Sequence, residues 1–301
     1  MNLFVVLVNW RNTTQTVECA AALKRWTKLK PTVVIVDNES TEATQRALNA
    51  GGFGDKVVCS PANSGYGGGN NLGVACAAHD AGSAILLLNS DVELTEASVE
   101  KLLARLERDP KLVIVGPILA ETSNGGTRTF AGGRDMARHG RTRVAVDASR
   151  LGEISGFPLI DVDYVPGTVF LTRGAVFRDV GPLDEEFFFS GEIADFCRRA
   201  RNKGYRLRVD LEAKAHHVTG ADNVNLRDTL YAYYSLRNRF LNVRKHHDQA
   251  KLRYFVFWSL MAARGATAAV VRGQFRRVRA IGLAWSDGVF GRYGNQNAKF
   301  I

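Results

Sequence analysis

A chain of 301 residues, 46% of them apolar and 23% charged, can build a substantial core and is not a disordered polymer. Forty basic against thirty acidic residues leave a net charge of +10, which calls for an anionic partner such as a nucleotide, a nucleic acid or a membrane surface. The four cysteines, Cys19, Cys59, Cys76 and Cys197, are scattered without a CxxC pair; this argues against a zinc ribbon or disulfide framework and fits a reducing cytosol.

Leu3 to Val8 is a near-continuous apolar run, as expected of a parallel strand covered on both faces. It lacks the basic flank and small-residue cleavage site of a signal peptide, and no run of about eighteen uncharged apolar residues occurs anywhere, so a membrane-spanning helix is not expected. Helical spacing is predicted from Thr13 to about Leu29, with Val17, Ala20, Ala21 and Leu23 on one side. A strand over Thr32 to Val36, a helix over Glu42 to Asn49, a strand over Lys56 to Cys59, a helix over Asn71 to Asp80 and a strand over Ala84 to Leu88 come next. Such alternation predicts an α/β fold with a doubly wound, mostly parallel sheet. A helix over Glu96 to Arg108 and a strand over Val113 to Val115, ended by Gly116-Pro117, precede residues 121–160, which read as loops and hairpins over the sheet. Order returns with a turn at Pro166-Gly167-Thr168, a strand over Val169 to Thr172 and a helix from Gly174; from Leu226 the chain is helical and basic.

Four polar clusters come after the strands: Asn9-Trp10-Arg11, Asp37-Asn38-Glu39-Ser40, the stretch from Asn63 through Gly65 to Asn70 and Asn71, and Asn89-Ser90-Asp91. The carboxyl ends of parallel strands lie on one side of a sheet, so these clusters converge where open α/β folds bind ligands. Each taken alone also suits a turn or helix cap. The glycines of GYGGGNN form neither a P-loop nor a dinucleotide fingerprint, and are read as a loop letting backbone approach a ligand beside a helix that begins near Asn70.

The motifs VNW, VDNES, NSGYGGGNNLG, LLLNSDV, VPGTVFLTRGAVFRDVGPLDEEFF and YYSLRNRFLNVRKH, in this order, resemble family 2 glycosyltransferases of the GT-A fold, above all their rhamnosyltransferase-like branch, over about residues 1 to 247. The resemblance implies a metal-dependent, inverting transfer of a sugar from a nucleotide-sugar to a polysaccharide or lipid-linked glycan of the cell envelope. dTDP-rhamnose is the favoured donor, with UDP- and GDP-sugars open. It implies donor contacts at Asn9, Trp10, Asp37, Asn63, Gly65, Asn70, Asn89, Ser90 and Asp91, with Arg237 and Arg239 near the diphosphate. In this branch Asn-x-Asp stands where Asp-x-Asp holds Mg²⁺ or Mn²⁺ against the diphosphate. Asp91 is then the anionic metal ligand and His217, in HHVTG, the second, with the adjacent His216 as the alternative.

Inversion requires a carboxylate that takes the acceptor's proton. Relatives carry Tyr-Glu-Asp-x-Asp where this chain has Ser190-Gly191-Glu192-Ile193-Ala194-Asp195, so the middle acid is replaced by Ile193. Glu192 is the first choice for the base and Asp195, on nearly the same helical face, the reserve. Asp184 and Glu185 are read as acceptor-side or capping groups, and Gly167 and Thr168 as acceptor-side. The rival to an enzyme is a non-catalytic nucleotide- or glycan-binding protein that kept the fold and lost the middle acid.

Composition divides the chain into a catalytic domain over residues 1–247 and a basic amphipathic helical extension over 248–301. The apolar runs of residues 251–285 are read as too short to span a bilayer and suited to its surface, with arginines at anionic headgroups. The other use of this segment is packing against the catalytic domain or a second copy of the chain. No motif that reads nucleic acid is present. The expectation is a cytoplasmic protein, docked on the inner face of the membrane if the segment meets lipid. If it does, a cut after His247 spares the donor site.

Overall fold

The structure, a computed structural model, describes residues 1–77, 82–123, 126–134, 145–147, 158–218 and 224–301. Its centre is an eleven-stranded mixed sheet in the order β3-β2-β1-β4-β10-β6-β11-β5, with β7, β8 and β9 added at its side. The parallel half is formed by β1 (Asn2–Asn9), β2 (Thr32–Asp37), β3 (Lys56–Cys59) and β4 (Ser83–Leu88). Asn9 lies level with Asp37, and Asp37 with Cys59, so these strands end together and their polar clusters share one edge.

Alternation along β1 sends Leu3, Val5 and Leu7 to one face and Val6 to the other. The first face packs on α1 (Thr13–Lys24) and α4 (Glu96–Arg108) through Ala20, Leu23, Leu102 and Leu106. The second is covered by α3 (Gly65–Ala77), α5 (Gly174–Val180) and α6 (Glu192–Asn202) through Val74, Phe177 and Phe196. α2 (Glu42–Ala50) opens on a capping box between Thr41 and Thr44.

Three expectations change. α1 stops at Lys24 instead of about Leu29, because the amides of Thr27, Lys28 and Leu29 donate to the Glu96 carboxylate rather than back into a helix. The GYGGGNN stretch is helix, not loop: α3 starts at Gly65. Its glycines serve packing, since a Cβ at position 73 would meet Val6 Cγ1 at 2.3 Å and one at position 69 would meet Val8 at 2.8 Å. The predicted end of this helix at Asp80 lies outside the described residues. Third, β6 (Leu112–Ser123) does not end at Gly116-Pro117. Its parallel partner β11 (Arg206–Val218) bulges between Asp210, opposite Pro117, and Lys214, opposite Ile118, so the missing proline N–H falls where no ladder bond is needed.

Much of residues 121–160 lies outside the described residues; the rest forms β7 (Gly126–Gly133), hairpinned on β6, with β8 (Ala145–Asp147) and β9 (Leu159–Asp161). β5 (Val92–Leu94) pairs antiparallel with β11, and β10 (Val169–Arg173) joins β4 to β6.

A third layer holds α7 (Val224–His246), α8 (Lys251–Val271) and α9 (Phe275–Phe290) around Tyr233, Tyr234, Phe240, Trp258 and Ala284. Phe240 fills the space beside Gly288, where a Cβ would meet its ring at 2.5 Å. Residue 247 therefore marks a change of helix, not a break in packing. Asp248–Val271 is by length and composition long and apolar enough to cross a membrane, contrary to the reading of residues 251–285 as too short.

Candidate active site

The convergent strand ends open into a cavity of about 210 Å³. One wall comes from the sheet edge: Trp10 and Asn12 after β1, Asn38 after β2, Asn63 to Asn70 at the start of α3, and Asn89, Ser90 and Asp91 after β4. The other comes from Phe188, Phe189, Arg227, Leu230, Tyr234 and, from the C-terminal tail, Asn297.

Asn9 and Asp37 do not border the cavity. Both are fully buried and spent on each other and on nearby turns: Asn9 Nδ2 donates to Asp37 Oδ1 at 3.2 Å, and Thr44 donates to Asp37 Oδ2 at 2.9 Å. They fix the turns that present Trp10 and Asn38. Asn38, which sequence reasoning passed over beside Asp37, borders the cavity and donates to the Gly65 carbonyl at 2.8 Å. Tyr66, also passed over, lines the wall and donates to the Gly167 carbonyl at 2.7 Å, while the Asn89 amide donates to the Thr168 carbonyl at 3.1 Å. The turn at 167–168 is thereby tied to the cavity without lining it.

Asp91 and His217 meet across β5 and β11, with His217 Nε2 3.0 Å from Asp91 Oδ2. Burial by itself would disfavour the charged imidazole. The bond with Asp91 and the Glu121 carboxylate, 3.5 Å from Nδ1, outweigh it and push the His217 pKa up to about 9. Burial likewise opposes ionisation of Asp91, but His217 and the Arg227 guanidinium, 3.8 Å away, hold its carboxyl below the usual range. Alternation along β11 turns His216 to the opposite face, toward Thr122 and Glu93, which separates the two histidines. Asp91 Oδ1 is buried without a hydrogen-bond partner among the described residues. Burial and then the Asp91 charge push the nearby Cys19 thiol up to about 12, which keeps it protonated.

Glu192 is the first residue of α6, 4% exposed, behind Tyr66. Phe188, Ser190 and Gly191 ahead of it all have positive φ, a strained path for the first two. α7 holds that path in place: Asn238 Nδ2 donates to the carbonyls of Phe187, Phe189 and Ser190. Arg237 donates to those of Glu186, Phe187 and Gly294.

Arg237 is therefore not free to meet a diphosphate. It is fully buried, its guanidinium 4.7 Å from the Tyr234 ring centroid. Arg239 points elsewhere, over Trp258 at 4.3 Å. Asp195 is also spent: Oδ1 is 2.7 Å from His246 Nε2, and Oδ2 accepts from Arg199 at 2.8 Å. Asp184 caps the turn at Glu185 and pairs with Lys245, while Glu185 accepts from Asn71 at 3.0 Å.

A family model described as glycosyl transferase family 2 matches residues 5–165, more than half of the chain. The chain belongs to that family. Among its relatives, an N-acetylglucosaminyl-diphospho-decaprenol L-rhamnosyltransferase of Mycobacterium tuberculosis is 25% identical over 89% of this chain and 92% of its own. A dTDP-rhamnosyl transferase of Shigella flexneri is 23% identical over 71% of each chain. A low-salt glycan biosynthesis hexosyltransferase of Haloferax volcanii is 24% identical over 69% of this chain and 66% of that protein. The family 2 fold is shared with a Pyrobaculum calidifontis mannosyltransferase in complex with GDP-Man and Mn²⁺, at a TM-score of 0.61 and 11% identity over 97% and 88% of the two chains. GalNAc-T7 with UDP, GalNAc and Mn²⁺ aligns at a TM-score of 0.64 and 15% identity, over 97% of this chain and 56% of that one.

Proposed function

We propose that this chain transfers a sugar, with inversion, from a nucleoside diphosphate sugar to a hydroxyl of a lipid-linked glycan. The observation that carries the reading is Asp91, which borders a cavity whose sheet-edge wall is polar and is paired behind it with His217. In this reading the base and ribose occupy the pocket between Trp10, Asn38 and Asn63, and the diphosphate lies beside Asp91 and Arg227, all of which border the cavity. The relatives named for rhamnosyl transfer make dTDP-rhamnose the first donor to try, ahead of UDP- and GDP-sugars.

A divalent cation suits these residues. Asp91 Oδ1 is a buried oxygen without a partner among the described residues, and no group of three or more acidic, His or Cys side chains poised for a metal exists among them. Two protein ligands, Asp91 and a His217 that gives up its proton when the ion binds, with donor phosphates completing the shell, would match the way Mg²⁺ and Mn²⁺ are held in phosphate chemistry. When bound, the ion supplies charge neutralisation for the leaving diphosphate. Arg227 adds a guanidinium on the same side. Glu192 takes the proton of the acceptor hydroxyl as its oxygen attacks the anomeric carbon, on the face opposite the departing diphosphate. Gly167, Thr168 and Glu185 stand on the acceptor side.

Thermal unfolding with a panel of nucleotide-sugars, with and without Mn²⁺, tests the reading. One donor should raise the melting temperature in a metal-dependent way. No stabilisation by any donor, in either condition, overturns it.

A further inference from the structure

Seven basic residues crowd one segment, and Lys251 pairs with Asp248 just outside it at 3.9 Å. Residues 249–286 carry Lys251, Arg253, Arg264, Arg272, Arg276, Arg277 and Arg279 and not one Asp or Glu. The same segment carries the most exposed large apolar side chains among the described residues. Leu252, Val256 and Leu260, four residues apart, form a stripe along the outer face of α8 and are 79%, 53% and 62% exposed. At the turn into α9, Val271 and Phe275 are 82% and 72% exposed, and every residue from 270 to 277 is exposed.

From this geometry we infer that the α8–α9 hairpin docks in the headgroup layer of an anionic bilayer, with the turn at 270–277 inserted and its arginines on lipid phosphates. Apolar side chains interleaved with an excess of cations are what an interfacial helix presents to lipid. A second copy of the chain would bring the same seven positive charges to the contact, and nucleic acid offers nothing to Leu252, Val271 or Phe275. A spanning α8 would carry Arg264 into the hydrocarbon, and α9, packed along it, would add Arg276, Arg277 and Arg279. An in-plane hairpin leaves all of them at headgroups.

Docking also places the active site. Tyr231 of α7 stacks edge-on against Phe189 of the cavity wall at 6.3 Å, and the same Tyr231 lines a groove with Arg239, Met261 and Arg277. The cavity rim thus continues toward the docked face, along the route a membrane-anchored acceptor takes.

The inference rests on the lipid-linked acceptor reading, and vesicle binding measured without any nucleotide-sugar tests it separately. The intact protein should co-sediment with vesicles of equal phosphatidylcholine and phosphatidylglycerol, bind pure phosphatidylcholine far more weakly, and be released at 1 M salt, where the Debye length is about 3 Å. Arg272→Ala/Arg276→Ala/Arg277→Ala should weaken vesicle binding about 100-fold. Val271→Ser/Phe275→Ser should weaken it at least tenfold. Both variants alter only exposed positions and should keep the melting temperature and its donor-dependent rise. Equal binding to both vesicle types, or protein that stays with the membrane at 1 M salt and in alkaline carbonate as a spanning helix does, overturns the inference.

Discussion

The two walls of the cavity are built on opposite principles. The sheet-edge wall takes its form from strand ends: β1, β2 and β4 are largely buried hydrocarbon until they reach the edge of the sheet, and the residues beyond that edge are polar because the chain meets solvent there. The helical wall reaches the cavity from a second core, and apart from Arg227, which faces Asp91, its polar groups are spent on the chain itself. Arg237 and Asn238 grip the strained loop before Glu192, and Tyr234 donates to Asn297 at 2.8 Å. The first wall, together with Arg227, therefore presents the ligand-facing groups, and the rest of the second positions them. Substitutions in the first should change binding more than stability, and substitutions in the second should change stability first.

The harshest test of that division is removal of everything after His247. The cut strips α8 and α9 from Phe240, Tyr233 and Leu236, and takes away the Gly294 carbonyl that Arg237 serves and the Asn297 side chain in the cavity wall. Loss of soluble folded protein is expected, in contrast to the spared donor site that composition suggested. A soluble truncated chain with unchanged donor affinity would show that the helical layer is an accessory.

Next in size is a paired comparison. Arg237→Ala leaves buried carbonyls without their donor and should cost roughly 3–5 kcal/mol, the scale of breaking a buried charged interaction. Asp91→Asn breaks the pair with His217 and should cost about 1–3 kcal/mol, less than Arg237→Ala. It should still lower donor affinity in Mn²⁺ by at least the roughly 10–100-fold that loss of a metal ligand's support costs. Chemical denaturation and calorimetric titration on both variants decide it. If the two effects fall the other way round, the walls have been assigned in reverse.

Glu192→Gln should leave donor binding unchanged and slow transfer by about 10²-fold or more, the contribution of a general base. Transfer to acceptor and donor hydrolysis are measured side by side. Full activity in this variant removes Glu192 from the chemistry.

These outcomes also trace how far the sequence is legible. Strand periodicity and the NSD motif locate the sheet edge, Asp91 and the cavity, because buried parallel strands and their polar ends are local patterns. Arg237 misleads because a buried arginine that serves carbonyls and a phosphate-binding arginine carry the same letter; only the positions of Glu186, Phe187 and Gly294 in space distinguish them. Arg227 and Asn297 reach the cavity by the packing of α7 and the tail, which no spacing encodes. The glycines of α3 look like a loop until Val6 and Val8 are seen against the helix.

The smallest effect separates Asp195 from Glu192 by its pH dependence. Burial opposes ionisation of Asp195, but the bond from His246 and the Arg199 guanidinium outweigh it and hold its carboxyl below the usual range. A carboxylate whose pKa is lower folded than unfolded adds stability that is fully present above its unfolded value of about 4 and fades as pH falls through the folded one. Asp195→Asn should therefore cost about 1–2 kcal/mol at pH 7, and the gap to the unmodified protein should narrow as pH drops below about 4. Denaturation midpoints across that range measure it. Because this carboxylate serves the fold, transfer measured well below the variant's melting temperature should stay within a few-fold of normal. A loss of turnover as deep as that of Glu192→Gln, with no pH-dependent gap in stability, would make Asp195 the base and move the chemistry one turn along α6.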